Sequence, residues 1–206
     1  MKTFIKLFFI DIMLCLFSEA QITDYKKKDV GFREGDIIFQ SNDAGQGLAI
    51  KLATHSQFTH CGIVFKDNEK WYVLEAIQPV CVTPLQDWIA RGDDGFYKVM
   101  RLQDESRLDE ATHLRMKTYG KKLVGKNYDF LFGWSDEKLY CSELVWKIYK
   151  TEGIEVGKLQ QLKEFDLTHP IVKNQLYQRF NHQVPLEEKV ISPQAIYESK
   201  LLKPIN

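Results

Sequence analysis

Cys141, His60 and Glu75 are three residue types that can assemble an acyl-transfer centre. Cys141 falls where an aromatic, charged loop, NYDFLFGWSDEKLY (127–140), gives way to an amphipathic stretch. A thiol at a helix N-terminus is held where the helix dipole favours the thiolate, which is the nucleophilic form. His60, in FTHCGIVF (58–65), can take the thiol proton. A carboxylate beside it, Glu75 in KWYVLEAI (70–77), can fix the imidazole tautomer and stabilise its charged form. The thiolate would attack a carbonyl to give an acyl-enzyme, with the Cys141 backbone N–H as one donor to the oxyanion. Each residue also has a structural use: Cys141 as a small core hydrophobe, His60 as a satisfied strand histidine, Glu75 as a solvated strand residue.

Position decides between these uses, and a hairpin supplies it. The runs 58–65 and 70–77 are rich in β-formers and are joined by KDNE. With Asp67 and Asn68 at the centre of the turn, or a four-residue loop from Lys66 to Glu69, His60 and Glu75 stand directly opposite on one face. Cys61, Ile63, Tyr72 and Leu74 then share the other, core-facing side. Around the hairpin, GDIIFQ (35–40) and GFYKVMRL (95–102) read as strands, and LAIKLATH (48–55) as a short helix. The SNDAGQG loop between them lacks the Lys-Ser/Thr ending of a phosphate loop.

From Ser106 the pattern turns helical. Ser106 and Asp109 resemble a capping box, Leu108, Ala111, Met116, Tyr119 and Leu123 recur at helical spacing, and Gly125 can end the helix. After the 127–140 loop, Leu144, Val145, Ile148 and Tyr149 make one apolar face of a second helix that Gly153 stops. Residues 154–190 form a polar excursion carrying a short helix, and SPQAIYES (192–199) closes the chain with a Ser N-cap and Pro at the first helical position. Strands first and helices after them predict an α+β domain over 35–206.

The chain of 206 residues balances 28 basic against 28 acidic side chains, which leaves no global field for nucleic acid or an anionic membrane. Lys2 and Lys6, an apolar run over 7–17 interrupted by Asp11, and Ser18-Glu19-Ala20 have the order of a signal peptide over 1–20. The run is shorter than a bilayer span. The expectation is an exported, periplasmic or secreted protein with a flexible lead-in over 21–34 and no stable membrane span in the mature chain. That leaves Cys61, Cys81 and Cys141, too few for a disulfide framework and with no CxxC pair. His55 and His60 lie in no compact zinc-ligand spacing, so neither a metal nor another cofactor is expected.

The stretches GDIIF, FTHCGIVF, YVLEA and GKNYDFLFGWSDEKLYCSELVWKIY together resemble the YiiX/YebB-like branch of the NlpC/P60 superfamily, as do KLQQLKEFDLTHPIVKNQL and VISPQAIYES further on. These are circularly permuted, papain-like cysteine hydrolases. Here too the histidine and acid precede the cysteine, the reverse of the ordinary papain-like order. The resemblance covers roughly 31–202. It implies an antiparallel barrel-like sheet packed on helices, with Cys141 as nucleophile, His60 as base and Glu75 as third polar residue. Tyr128 and Tyr140 would be substrate-pocket residues. It further implies amide or peptide hydrolysis, cell-wall peptides being the superfamily's best-known substrates. Permuted relatives that act on lipid acyl groups use the same chemistry, and a catalytically silent barrel that captures a peptide or amino acid is the reading from another class.

Overall fold

The computed structural model describes residues 31–206. The signal peptide expected over 1–20, and the lead-in as far as residue 30, lie outside the described residues. In chain order the elements are β1 (Ile37–Gln40), α1 (Gly47–Thr54), β2 (His60–Asp67), β3 (Lys70–Ala76), β4 (Val80–Pro84), α2 (Leu85–Ala90), β5 (Tyr97–Leu102) and α3 (Glu110–Leu123). They continue with β6 (Asn127–Tyr128), β7 (Lys138–Leu139), α4 (Cys141–Lys150), β8 (Gln160–Gln161), α5 (Pro170–Phe180), β9 (Lys189–Val190), α6 (Pro193–Tyr197) and β10 (Leu202–Pro204). One six-stranded sheet, in the order β10-β5-β1-β2-β3-β4, is antiparallel at every pairing. The fold is α+β, with the sheet packed on helices.

Alternation along the strands sorts the side chains. Ile37, Phe39, Cys61, Ile63 and Leu74 are buried against Met116 and Leu123 of α3 and Leu144, Val145, Ile148 and Tyr149 of α4. The α4 face is the one the sequence predicts, because its apolar residues recur at three- and four-residue steps. The α3 face differs: Thr112, Met116, Gly120 and Leu123 are buried and Ala111 is exposed. The cause is the helix start. Asp109, not Ser106, caps α3, accepting from the Thr112 N–H at 2.8 Å, while Ser106 sits in a 3-10 turn before it. On the other side of the sheet Ile38, Val64, Val73 and Val99 are buried. There α2 packs on β3 and β4 and buries Leu85, Trp88 and Ile89.

The hairpin register is two residues away from the sequence expectation. Asp67 pairs with Lys70 and Ile63 with Leu74, so the central turn residues are Asn68 and Glu69. Both have positive φ, 45° and 64°. Two-residue hairpin loops favour such mirror-image turns because their twist matches that of the strands, and Asn tolerates the left-handed region well. His60 and Glu75 are therefore diagonal rather than directly opposed. An even shift keeps both on the same face.

Residues 31–34, the end of the expected lead-in, are tied to the fold. Phe32 packs on Trp71 and Tyr97, and Glu34 accepts from the Lys66 N–H and from Lys117. Arg101 grips the buried Asp36 with two bonds of 2.7 and 2.8 Å.

Candidate active site

Cys141 is the first residue of α4, so its N–H is among the donors a helix leaves without an internal partner. The helix start is clamped from both sides. Ser142 Oγ donates to the Ile191 carbonyl at 2.7 Å, and Tyr140 Oη accepts from the Ile191 N–H at 3.1 Å. At the third position of α4, Glu143 is fully buried and accepts from the Tyr140 N–H at 3.3 Å. Lys147 Nζ lies 2.8 Å from its other oxygen without the angle of a hydrogen bond. Burial nonetheless pushes the Glu143 carboxyl up to about 7.

His60 opens β2, where α4 packs across the strand and brings Cys141 to the imidazole. Its Nε2 is 2.6 Å from Glu75 Oε2, which leaves Nδ1 as the ring nitrogen for the thiol. Opposite Glu75 the hairpin carries Gly62, where an added Cβ would come 3.4 Å from the Glu75 Cβ and 2.4 Å from a Val73 methyl. Glycine there keeps the strands close enough for the diagonal pair to touch. The carboxylate is wholly buried, and its second oxygen accepts from Thr83 of β4 and from Arg91 just after α2. Burial alone would raise its pKa. The bonds from His60 and Thr83 and the Arg91 charge instead hold it below the usual carboxylate value. Trp88 stacks on the imidazole at 5.9 Å between centroids and fixes the ring plane.

The thiol and imidazole shift each other. Burial works against a charged His60, but Cys141 and Glu75 outweigh it and raise the ring to about 9. Cys141 is held well below an ordinary thiol, first by the Cys61 thiol beside it and then by His60, against the opposing effect of burial. Cys61 itself is pushed up, by burial and by Cys141, so it keeps its proton and can donate to the sulfur anion. Both shifts run in the direction that favours a thiolate beside an imidazolium, and the shift of Cys61 in the direction that keeps it a neutral thiol.

A narrow pocket of about 100 Å³, open to solvent, is lined in part by Cys141. Ile50 and Ala53 of α1, Leu162 and Phe165 of the 154–190 excursion, and Val172 and Leu176 of α5 give it an almost wholly apolar wall. Tyr128 and Tyr140 both line it: Tyr140 with its hydroxyl committed to Ile191, Tyr128 with its hydroxyl accepting from Gln46 at 2.6 Å. The other histidines serve elsewhere. His55 and His182 have left-handed backbones at the ends of α1 and α5, and His169 caps α5.

No motif in the sequence marks Thr83, Trp88, Arg91 or Gln46, or a polar role for Cys61. The available signals were the β-branched residues of VCVTP beside the hairpin and the Pro84 that precedes LQDWIA.

The model of a family described as "Permuted papain-like amidase enzyme, YaeF/YiiX, C92 family" matches residues 31–206. The chain belongs to the YaeF/YiiX family. A family relative from Escherichia coli (strain K12), "Uncharacterized protein YiiX", is 46% identical over 169 residues, spanning 82% of this chain and 83% of its own. A solved structure described as "Crystal structure of metalloprotein yiiX from Escherichia coli O157:H7" superposes with a TM-score of 0.81 at 44% identity, over 84% of this chain and 96% of that one. Metal is said there of that protein. Among the described residues of this YaeF/YiiX chain, no three His, Cys, Asp or Glu side chains are grouped to hold an ion.

Proposed function

We propose that this chain is an exported cysteine hydrolase of the amidase or peptidase type, working through an acyl-enzyme with Cys141 as nucleophile, His60 as base and acid, and Glu75 as the group that orients and charges His60. The observation that carries it is Cys141 at the first position of α4, paired with an imidazole that Glu75 Oε2 holds at 2.6 Å. The thiolate attacks the substrate carbonyl carbon, whose π electrons move to oxygen. The Cys141 N–H donates to that oxyanion. On collapse, the His60 imidazolium gives its proton to the leaving nitrogen, and the acyl group remains on sulfur. Water, deprotonated by the now neutral His60, releases the acid and regenerates the pair. Export rests on the charged, apolar and small-residue order of residues 1–20.

Peptidoglycan-type peptides suit the amidase reading, since they offer short amides to an exported enzyme. A second reading, a lipid acyl hydrolase or acyltransferase, is favoured by the apolar lining of the pocket beside Cys141. A substrate panel separates them. Release of free amino groups from muropeptides supports the first, and release or transfer of a fatty acyl group supports the second. Both reactions should vanish in Cys141→Ala. A Cys141→Ala variant that turns over either substrate at the wild-type rate contradicts the acyl-enzyme.

A further inference from the structure

Cys141 and Cys61 are two free thiols in contact, and they differ in what can reach them. Cys141, at the first position of α4, lines a pocket open to solvent. Cys61 lies on β2, where α4 packs across the strand; it is wholly buried and forms no part of the pocket wall. Its thiol and its backbone both hydrogen-bond to Cys141. The third cysteine is set apart. Cys81 pairs with Glu75 across β3 and β4, so it points to the sheet face away from α4, with its sulfur 3.6 Å from Thr83 Oγ1.

Peroxides oxidise thiolates, and a second thiol beside the oxidised sulfur decides whether the product is reversible. The same contacts that favour the Cys141 anion therefore make it the first thiol to be oxidised. Cys61 does not compete for the oxidant, because it is buried and protonated. Burial and the Cys141 anion both hold that proton in place. Oxidation of Cys141 to an uncharged sulfenic acid removes the second of these, at the moment when the Cys61 sulfur is needed.

We propose that Cys61 is a resolving cysteine, which captures peroxide-oxidised Cys141 as an intramolecular disulfide and so silences the nucleophile reversibly. In the first step the Cys141 thiolate attacks one oxygen of hydrogen peroxide. The S–O bond forms, the O–O bond breaks, and the departing hydroxide takes a proton from the His60 imidazolium to leave as water. In the second step the Cys61 sulfur attacks the Cys141 sulfur. The S–S bond forms, the S–O bond breaks, and the hydroxyl leaves as water with the proton that Cys61 gives up. Two electrons have passed from sulfur to peroxide, and a dithiol returns them by exchange. Without Cys61 the sulfenic acid stays open to a second peroxide, which takes it to the sulfinic acid that thiols do not reverse.

The test uses the full reduced protein and reads the thiols rather than turnover. Wild type is treated with increasing hydrogen peroxide, denatured in excess iodoacetamide and digested for mass spectrometry, with an intact mass taken before digestion. The expected product is a monomer in which the Cys61 and Cys141 peptides are joined, lighter by two hydrogens than the separate thiol peptides. Dithiothreitol should then return native Cys141 alkylation to its starting rate. At equal consumption of the Cys141 thiol, Cys61→Ala should accumulate the sulfinic acid and lose that recovery, whereas Cys81→Ala should crosslink as wild type does. Cys141 sulfinic acid beside a free Cys61 in the wild type overturns the inference. So does a link found only in covalent dimers, or a Cys141 thiol that peroxide leaves intact. The deciding product forms in the wild type, so the test stands should Cys61→Ala not fold. No step involves a carbonyl substrate, so an absence of hydrolysis leaves the outcome unaffected.

Discussion

At Cys141 two unlike partners, the His60 imidazole and the Cys61 thiol, both favour the sulfur anion, and they can be told apart. The Cys61 S–H stabilises the anion without titrating, so Cys61→Ala should move the midpoint of Cys141 alkylation upward while leaving the His60 limb in place. Glu75 acts on that other limb. Its carboxylate favours the charged ring, and His60 is raised from its ordinary 6.5 to about 9. Glu75→Gln keeps an acceptor but removes the charge, so the alkaline fall in acylation should move down from about 9 toward 6.5, read from the pH profile of single-turnover rates. An unmoved alkaline limb would place Glu75 outside the proton chemistry. Cys141, His60 and Glu75 were legible because their types carry the chemistry wherever they stand. Cys61 was not: a cysteine on the apolar side of a strand reads as core, and only the approach of α4 turns it into a donor.

For the elements, the lesson of the hairpin is that face and register have different sources. Alternation gave the shared face of His60 and Glu75, and that survives any even shift. Register came from the turn, whose two positive-φ positions are taken by Asn68 and Glu69, although Asp67-Asn68 suits them at least as well by residue type. The close approach at Gly62 follows from that register. An alanine Cβ there would lie 2.4 Å from Val73 Cγ1 and 2.8 Å from the Leu74 carbonyl oxygen, so Gly62→Ala should cost about 1–3 kcal/mol in urea unfolding. It should also loosen the His60–Glu75 pair. In the first turn of α4, Glu143 has a carboxyl raised from 4.5 to about 7 by burial. The folded state therefore holds an extra proton between these values, and stability falls as pH climbs through that window. Glu143→Gln should lose this fall, so its melting temperature should gain on the wild type from pH 4.5 to 7. A constant difference across that range would contradict the burial effect. Strand β4 and helix α2 escaped the sequence reading because VCVTP and LQDWIA are too short for periodicity to declare them. They nevertheless supply Thr83, Arg91 and Trp88 to the site.

Over the whole molecule, His60 and Cys141 belong to the sheet and α4, whereas the space beside them is built by α1, the 154–190 excursion and α5. Periodicity could show that the excursion held a helix. Where that helix lies depends on tertiary packing against α1, which no local pattern encodes. This division separates chemistry from selection. Leu176→Trp should leave alkylation and short-chain acylation intact and cut reaction with octanoyl relative to acetyl esters by about 10–200-fold, the scale on which hydrophobic pockets discriminate. Equal effects on both chain lengths would mean that the acyl group lies elsewhere. The most direct measurement of the thiolate–imidazolium pair itself is the pH dependence of Cys141 alkylation in wild type and His60→Ala, followed on the Cys141 peptide by mass spectrometry. A paired thiolate alkylates rapidly at pH 6, and His60→Ala shifts its profile toward that of an ordinary thiol. Slow alkylation of native Cys141 at pH 6, or an identical profile in His60→Ala, would show that the pair is not formed and leave the fold a binding module.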